Sequence, residues 1–136
     1  MKTLVLHNDV SEVPQLGQWV ELLGEEYGLD MPQVFQLNLA LEEAVVNVIS
    51  YAYPDTTGDL SLAVQGASNR LTFVLSDQGV AFDPTQQEAP NITLPAEERN
   101  IGGLGIFLVK QIMKEVTYQR KDDKNILTMV YEPAKS

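Results

Sequence analysis

The longest stretch with one clear hydrophobic period runs from Met31 to Tyr53, MPQVFQLNLALEEAVVNVISYAY. Val34, Leu37, Leu41, Val45, Val48 and Ala52 recur at steps of three and four, which predicts an α-helix with one core-facing stripe. At about 100° per residue, Gln36, Ala40, Glu43 and Asn47 fall on the opposite side, with Glu43 and Asn47 one turn apart. Leu39, Val46 and Ile49 border that second stripe, so the pair is expected to line an internal cavity. A carboxylate and an amide are costly there unless something hydrogen-bonds or coordinates them, and a bound ligand would do so. A surface helix would instead leave both side chains facing water.

The elements on either side follow from shorter patterns. Leu4, Val5 and Leu6 predict a first strand over residues 2–8. Ser11 and Pro14, followed by Leu16, Trp19, Val20, Leu22 and Leu23, predict an N-capped amphipathic helix ending near Gly28. Asp30 is the expected cap of the central helix, with Pro32 in its first turn and Tyr53-Pro54 as its breaker. Two strands, 59–65 and 70–76, are expected to form a hairpin through Gly66–Asn69. Residues 77–103, rich in Pro, Gln and acidic side chains, read as a long mobile connection, either a functional lid or a disordered loop. A helix over 104–116 and strands over 117–121 and 126–132, the strands separated by the turn Asp122–Asn125, complete the chain. This order implies an α/β (α+β) two-layer sandwich with helices on one face of a mixed, mostly antiparallel sheet.

Composition narrows the chemistry. The 136 residues suit one domain with one hydrophobic core. There is no cysteine and His7 is the only histidine, so thiolate nucleophiles, zinc sites and Ser-His-Asp triads are poor readings. The formal charge of -10 gives no support to direct nucleic-acid binding; a protein partner fits it better, although an acidic surface that simply raises solubility is the commoner reason for such a balance. No apolar run approaches the roughly 18 residues of a membrane span, and the start turns polar after six residues, so the expectation is a cytoplasmic protein with no membrane segment.

Three stretches can hold chemistry. Glu43-Ala44-Val45-Val46-Asn47 lies on the central helix. Asp77-Gln78-Gly79-Val80-Ala81-Phe82-Asp83-Pro84 follows a strand: Asp77 can accept from an amino group and Gly79 allows close backbone approach, although a simple strand-end turn explains both equally well. Ile101-Gly102-Gly103-Leu104-Gly105-Ile106-Phe107-Leu108-Val109-Lys110 carries glycines just before a helix, where exposed N–H groups and the dipole favour phosphate, although a hinge or a close-packed turn explains such glycines too. Lys110 lies a turn or more into that helix. The pattern is neither a Walker loop nor a dinucleotide fingerprint.

Taken in this order, the three stretches resemble the N, G1 and G2 boxes of the Bergerat-fold ATPases, the histidine-kinase-like superfamily. Glu-Ala-Val-x-Asn, Asp-x-Gly-x-x-Phe-Asp-Pro and Gly-Gly-Leu-Gly-Ile-Phe-Leu-Val look most like its anti-sigma-factor serine/threonine kinases. The resemblance spans essentially the whole chain, 1–136, with an ATP lid at about 84–101. It implies ATP and Mg²⁺ as cofactors, with Glu43 as general base and Asn47 as the Mg²⁺ ligand. Asp77 would read the adenine amino group beside Gly79, and Gly103, Leu104 and Gly105 would hold the phosphates. Arg99 would approach the γ-phosphate, at a looser spacing from the glycines than is usual. One departure stands at Val80 and Ala81, where the first glycine box often has a further glycine.

By the same resemblance, the implied function is an anti-sigma factor that binds a sigma factor or similar regulator and phosphorylates a small anti-anti-sigma protein. A homodimer is implied too. The alternatives are a nucleotide-responsive binding switch without kinase activity and the catalytic domain of a histidine kinase. The second is disfavoured because no phosphoacceptor region precedes the domain.

Overall fold

A computed structural model describes residues 2–7, 10–52, 58–67, 69–86 and 101–133, without the side chains of residues 10, 50–52, 86 and 101–105. Five strands, β1 (Lys2–His7), β2 (Asp59–Ala67), β3 (Arg70–Asp77), β4 (Glu115–Lys121) and β5 (Lys124–Tyr131), form one sheet in the order β1-β2-β3-β5-β4. Every pairing is antiparallel. Helices α1 (Val13–Tyr27), α2 (Met31–Ala52) and α3 (Ile101–Ile112) share one core with a single sheet face, giving the expected two-layer α/β sandwich.

The alternation of the strands decides what meets the helices. Leu71, Phe73 and Leu75 of β3 stand opposite Tyr131, Met129 and Leu127 of β5, and all six are buried in the shared core. From the helix side Leu16, Val20 and Leu23 of α1, Leu37, Leu41 and Val45 of α2, and Ile106 and Val109 of α3 enter the same cluster. Trp19 meets Phe73 edge-on at 6.3 Å between ring centres. The core-facing row of β3 and β5 does not end on an apolar pair. Its next step is Asp77 opposite Asn125.

Helix α2 starts as its sequence predicts. The Asp30 carboxylate accepts from the Gln33 amide at 2.8 Å, and the Gln33 side chain accepts from the Asp30 amide at 2.9 Å, a reciprocal capping box. Gly28 closes α1 in the left-handed conformation, φ 69°. The start of α1 differs from expectation. Val10–Glu12 forms one turn of 3-10 helix, and the N-cap position falls to Glu12. The Glu12 side chain makes no cap bond because it accepts from the backbone amide of His7 at 2.9 Å and contacts its Nδ1 at 2.8 Å, tying the helix to the end of β1.

Three boundaries move for identifiable reasons. Helix α3 begins at Ile101 and stops at Ile112, because the Lys114 amide donates to the Val130 carbonyl at 2.7 Å and Val116 pairs with Met129 in the sheet. The β2–β3 hairpin closes at Ala67 opposite Arg70, with Asn69 at φ 63°, so Gly66 and Ala67 belong to the ladder. The final hairpin turns on Asp122 and Asp123 alone, both left-handed at φ 54° and 61°, a primed two-residue turn that matches strand twist. Lys124 and Asn125 are therefore strand residues. The lid expected at about 84–101 lies mostly outside the described residues; its first residues, Pro84–Gln86, form a 3-10 turn.

Candidate nucleotide site

The carboxylate of Asp77 is buried at the C-terminal end of β3. Its Oδ1 accepts from the Gly79 amide at 2.8 Å and from Asn125 Nδ2 at 3.0 Å, and among the described residues no donor reaches Oδ2. Burial pushes the Asp77 carboxyl above the usual range, opposed by the Asn125 and Gly79 hydrogen bonds and by the positive charge of Arg120.

Asn125 does more than face Asp77. Its Nδ2 also donates to the Val80 carbonyl at 2.8 Å, and its Oδ1 accepts from the Phe82 amide at 3.1 Å and the Tyr118 hydroxyl at 2.5 Å. Arg120 Nη1 donates to the Gly79 carbonyl at 2.8 Å. The loop after β3 is thus fixed to β4 and β5 at Asp77, Gly79, Val80 and Phe82. Beyond it, Asp83 Oδ1 accepts from the amide and the hydroxyl of Thr85 at 2.9 and 2.5 Å. Lys110 of α3 donates to the Thr85 carbonyl at 2.9 Å, which uses one of the three donors of its ammonium.

Helix α2 supplies the other polar groups. Asn47 is 4% exposed, and its Nδ2 is buried with no hydrogen-bond partner among the described residues. A buried amide left this way costs about 1–3 kcal/mol, so it stays only where something else supplies a partner or a function. Glu43, one turn earlier, is only partly buried. Burial first, and then the neighbouring charge of Glu42, raises its carboxyl above the usual value. Ala40, on the same stripe, is fully buried, whereas Gln36 is exposed: the stripe turns inward along the helix.

Helix α2 packs against both β3 and α3. It therefore adjoins the strand that ends in Asp77 and the helix that carries Gly103, Leu104 and Gly105. Those three residues lie in the first turn and a half of α3 rather than in a loop before it. Arg99 lies outside the described residues. A separate cleft of about 530 Å³ between α1 and α2 contains none of these groups.

A family model described as the histidine kinase-like ATPase domain matches residues 6–131. The serine/threonine-protein kinase BtrW of Bordetella bronchiseptica is 31% identical over 101 residues, covering 74% of this chain and 71% of that protein. The chain belongs to the histidine kinase-like ATPase family. The serine-protein kinase RsbW of Bacillus cereus is 24% identical over 108 residues, covering 76% of this chain and 68% of that protein. A histidine kinase domain from the blue-light activated histidine kinase EL346 of Erythrobacter litoralis matches in fold with a TM-score of 0.58 at 15% identity. That match covers 88% of this chain, which spans 60% of that domain's length.

Within this histidine kinase-like ATPase domain Asn125, Tyr118 and Arg120 hold the loop after β3, and none of them stands out in the sequence. Asn125 looked like the last residue of a turn, because Asp122-Asp123-Lys124-Asn125 has turn composition throughout. A signal was available. Asn125, Leu127, Met129 and Tyr131 form an unbroken alternation, which assigns Asn125 to the core-facing side of a strand.

Proposed function

We propose that this chain, residues 1–136, is a single ATP-binding domain that acts as an anti-sigma factor and protein serine/threonine kinase. Its protein substrate would be a small anti-anti-sigma antagonist, and its other partner a sigma factor or similar regulator. The two kinases BtrW and RsbW support this reading through sequence similarity. The observation that carries it is the Asn47 amide nitrogen, buried with no partner among the described residues, one helical turn from a carboxylate whose proton affinity is raised.

The residues fit a magnesium-bound triphosphate. A half-turn of the Asn47 carboxamide exchanges its oxygen and nitrogen ends, so its orphaned end can present an oxygen to a hard cation. Among the described residues no three acidic or histidine side chains gather into a metal cage. Mg²⁺ held by Asn47 would take its remaining ligands from phosphates and water, as Mg²⁺ commonly does. When bound, it neutralises charge on the transferring phosphoryl group.

Asp77 accepts the adenine amino group at Oδ2 while Asn125 and Gly79 hold Oδ1, and Gly79 lets the base approach the backbone. The amides of Gly103, Leu104 and Gly105 at the positive end of α3 hold phosphate oxygens, and Arg99 joins them at the γ-phosphate. The segment at about 84–101 would serve as the lid over the nucleotide, and near its start Lys110 donates to the Thr85 carbonyl. Glu43 takes the proton from a serine hydroxyl as its oxygen bonds to the γ-phosphorus. The bond from phosphorus to the β,γ-bridging oxygen breaks, and ADP leaves with that electron pair.

The test is a pull-down with the full chain followed by incubation with labelled ATP and Mg²⁺. A labelled serine or threonine on a small copurifying protein is the expected result. Nucleotide-dependent release without label would replace the kinase with a binding switch, and no heat on titrating ATP and Mg²⁺ would remove both.

A further inference from the structure

Helices α1 and α2 leave a cleft of about 530 Å³ between them on a part of the molecule unconnected with the Asp77 site. Its α1 wall carries Glu21 and Glu25, one turn apart, and its α2 wall carries Met31 and Phe35, also one turn apart. Met31 is 86% and Phe35 69% exposed, an unusual exposure for two large apolar side chains on adjacent turns. The close approach of the helices at Gly24, where an added Cβ would lie 2.5 Å from Val34 Cγ2, gives the cleft its floor. At the far end Asn38 lines the cleft, and its Oδ1 is buried without a donor among the described residues.

Charge defines what fits. Of the 19 Asp and Glu residues ten lie between residues 8 and 69, and none of the nine Lys and Arg residues does, so this segment carries the whole net charge of -10. Both α1 and α2 come from it. Glu21 and Glu25 are exposed and make no ion pair among the described residues, whereas Glu26 on the same helix is engaged by Lys2 at 3.2 Å. An apolar ledge beside an acidic rail in a field of one sign attracts a segment of the opposite charge.

We propose that the α1–α2 cleft docks a basic amphipathic helix of a partner protein. Two apolar side chains of that helix, spaced three or four residues apart, would cover Met31 and Phe35. Lys or Arg residues on its flank would pair with Glu21 and Glu25. From Gly17 to Glu25 the α1 wall spans roughly 12 Å at 1.5 Å per residue, which matches about two turns of such a helix. The inference does not rest on nucleotide binding.

The test selects displayed peptides on the full-length protein, with Phe35→Glu as the counter-selection target. Expected winners carry apolar residues at i and i+3 or i+4 with Lys or Arg beside them. Their affinity should drop about tenfold or more with Phe35→Ala and with Glu21→Lys/Glu25→Lys, and fall as salt rises. Both variants should keep the wild-type melting profile and the wild-type heat of ATP binding, which separates this result from failure of the nucleotide reading. The proposal is overturned if the winners lack basic residues or bind Phe35→Glu equally well. It is also overturned if ultracentrifugation finds a dimer that Phe35→Glu dissociates, since a second copy would then cover the ledge.

Discussion

Asn125 stands directly across the β3–β5 ladder from Asp77 and donates a 3.0 Å hydrogen bond to its Oδ1. The same carboxamide holds the Val80 carbonyl and the Phe82 amide, so one side chain orients the carboxylate and also fixes the loop beside it. Asp77 is thereby presented with one oxygen occupied and the other open, the arrangement needed to accept from a ligand amino group.

Replacing Asn125 with Ala should therefore do two things together. It strips a donor from Asp77 and from the Val80 carbonyl and takes the acceptor from the Tyr118 hydroxyl, which should lower unfolding free energy by roughly 2–3 kcal/mol in urea titrations. ATP affinity should fall as well. Unchanged stability would mean that water replaces this network at no cost.

Asn47→Leu separates stability from function. Without nucleotide the variant should be as stable as the parent or more so, by about 1 kcal/mol, because a buried amide with an unpartnered nitrogen is gone. Calorimetry with ATP and Mg²⁺ should then give little or no heat. A variant that melts several degrees lower would show that Asn47 is a structural residue.

Glu43→Gln keeps shape and removes the base. Phosphotransfer to the protein substrate should slow by about 10²–10⁴, while ATP affinity stays near wild type. Transfer at the normal rate would dismiss Glu43 from the proton-accepting role.

Asp77 and Glu43 both bind their protons more tightly in the folded protein than in the unfolded chain. The native state thus holds more protons between the unfolded values, about 4, and the raised folded ones, and stability falls as pH rises through that window. The contribution is complete below about pH 4 and lost above the folded values. Asp77→Asn should flatten its share of this slope in unfolding titrations, since an amide oxygen can still accept from Gly79 and Asn125. It should also abolish adenine binding, because the new NH₂ group would face the adenine amino group donor to donor. Wild-type affinity in this variant would remove Asp77 from base recognition.

The three motif stretches were legible because each depends on short-range pattern: Glu43 and Asn47 on helical spacing, Asp77 and Gly79 on a strand followed by a turn, and the Gly103–Gly105 segment on glycines at a helix start. Strand-pairing register was not legible. Turn composition around Asn125 concealed a strand residue, and only the pairing of β3 with β5 gave it a partner 48 positions away. The end of α3 departs from its pattern for a similar reason, because pairing of Val116 with Met129 outweighs the helical pattern before it.

By itself the sequence determined the elements and the two-layer fold, since periodicity, capping and turn chemistry act over a few residues. Only the tertiary structure decided that Asn47 is buried with no partner for its amide nitrogen among the described residues, that Asp77 is clamped by Asn125, and that Met31 and Phe35 stay exposed beside Glu21 and Glu25. Burial and hydrogen-bond satisfaction depend on which distant segments arrive at a side chain, and local pattern does not encode that arrival.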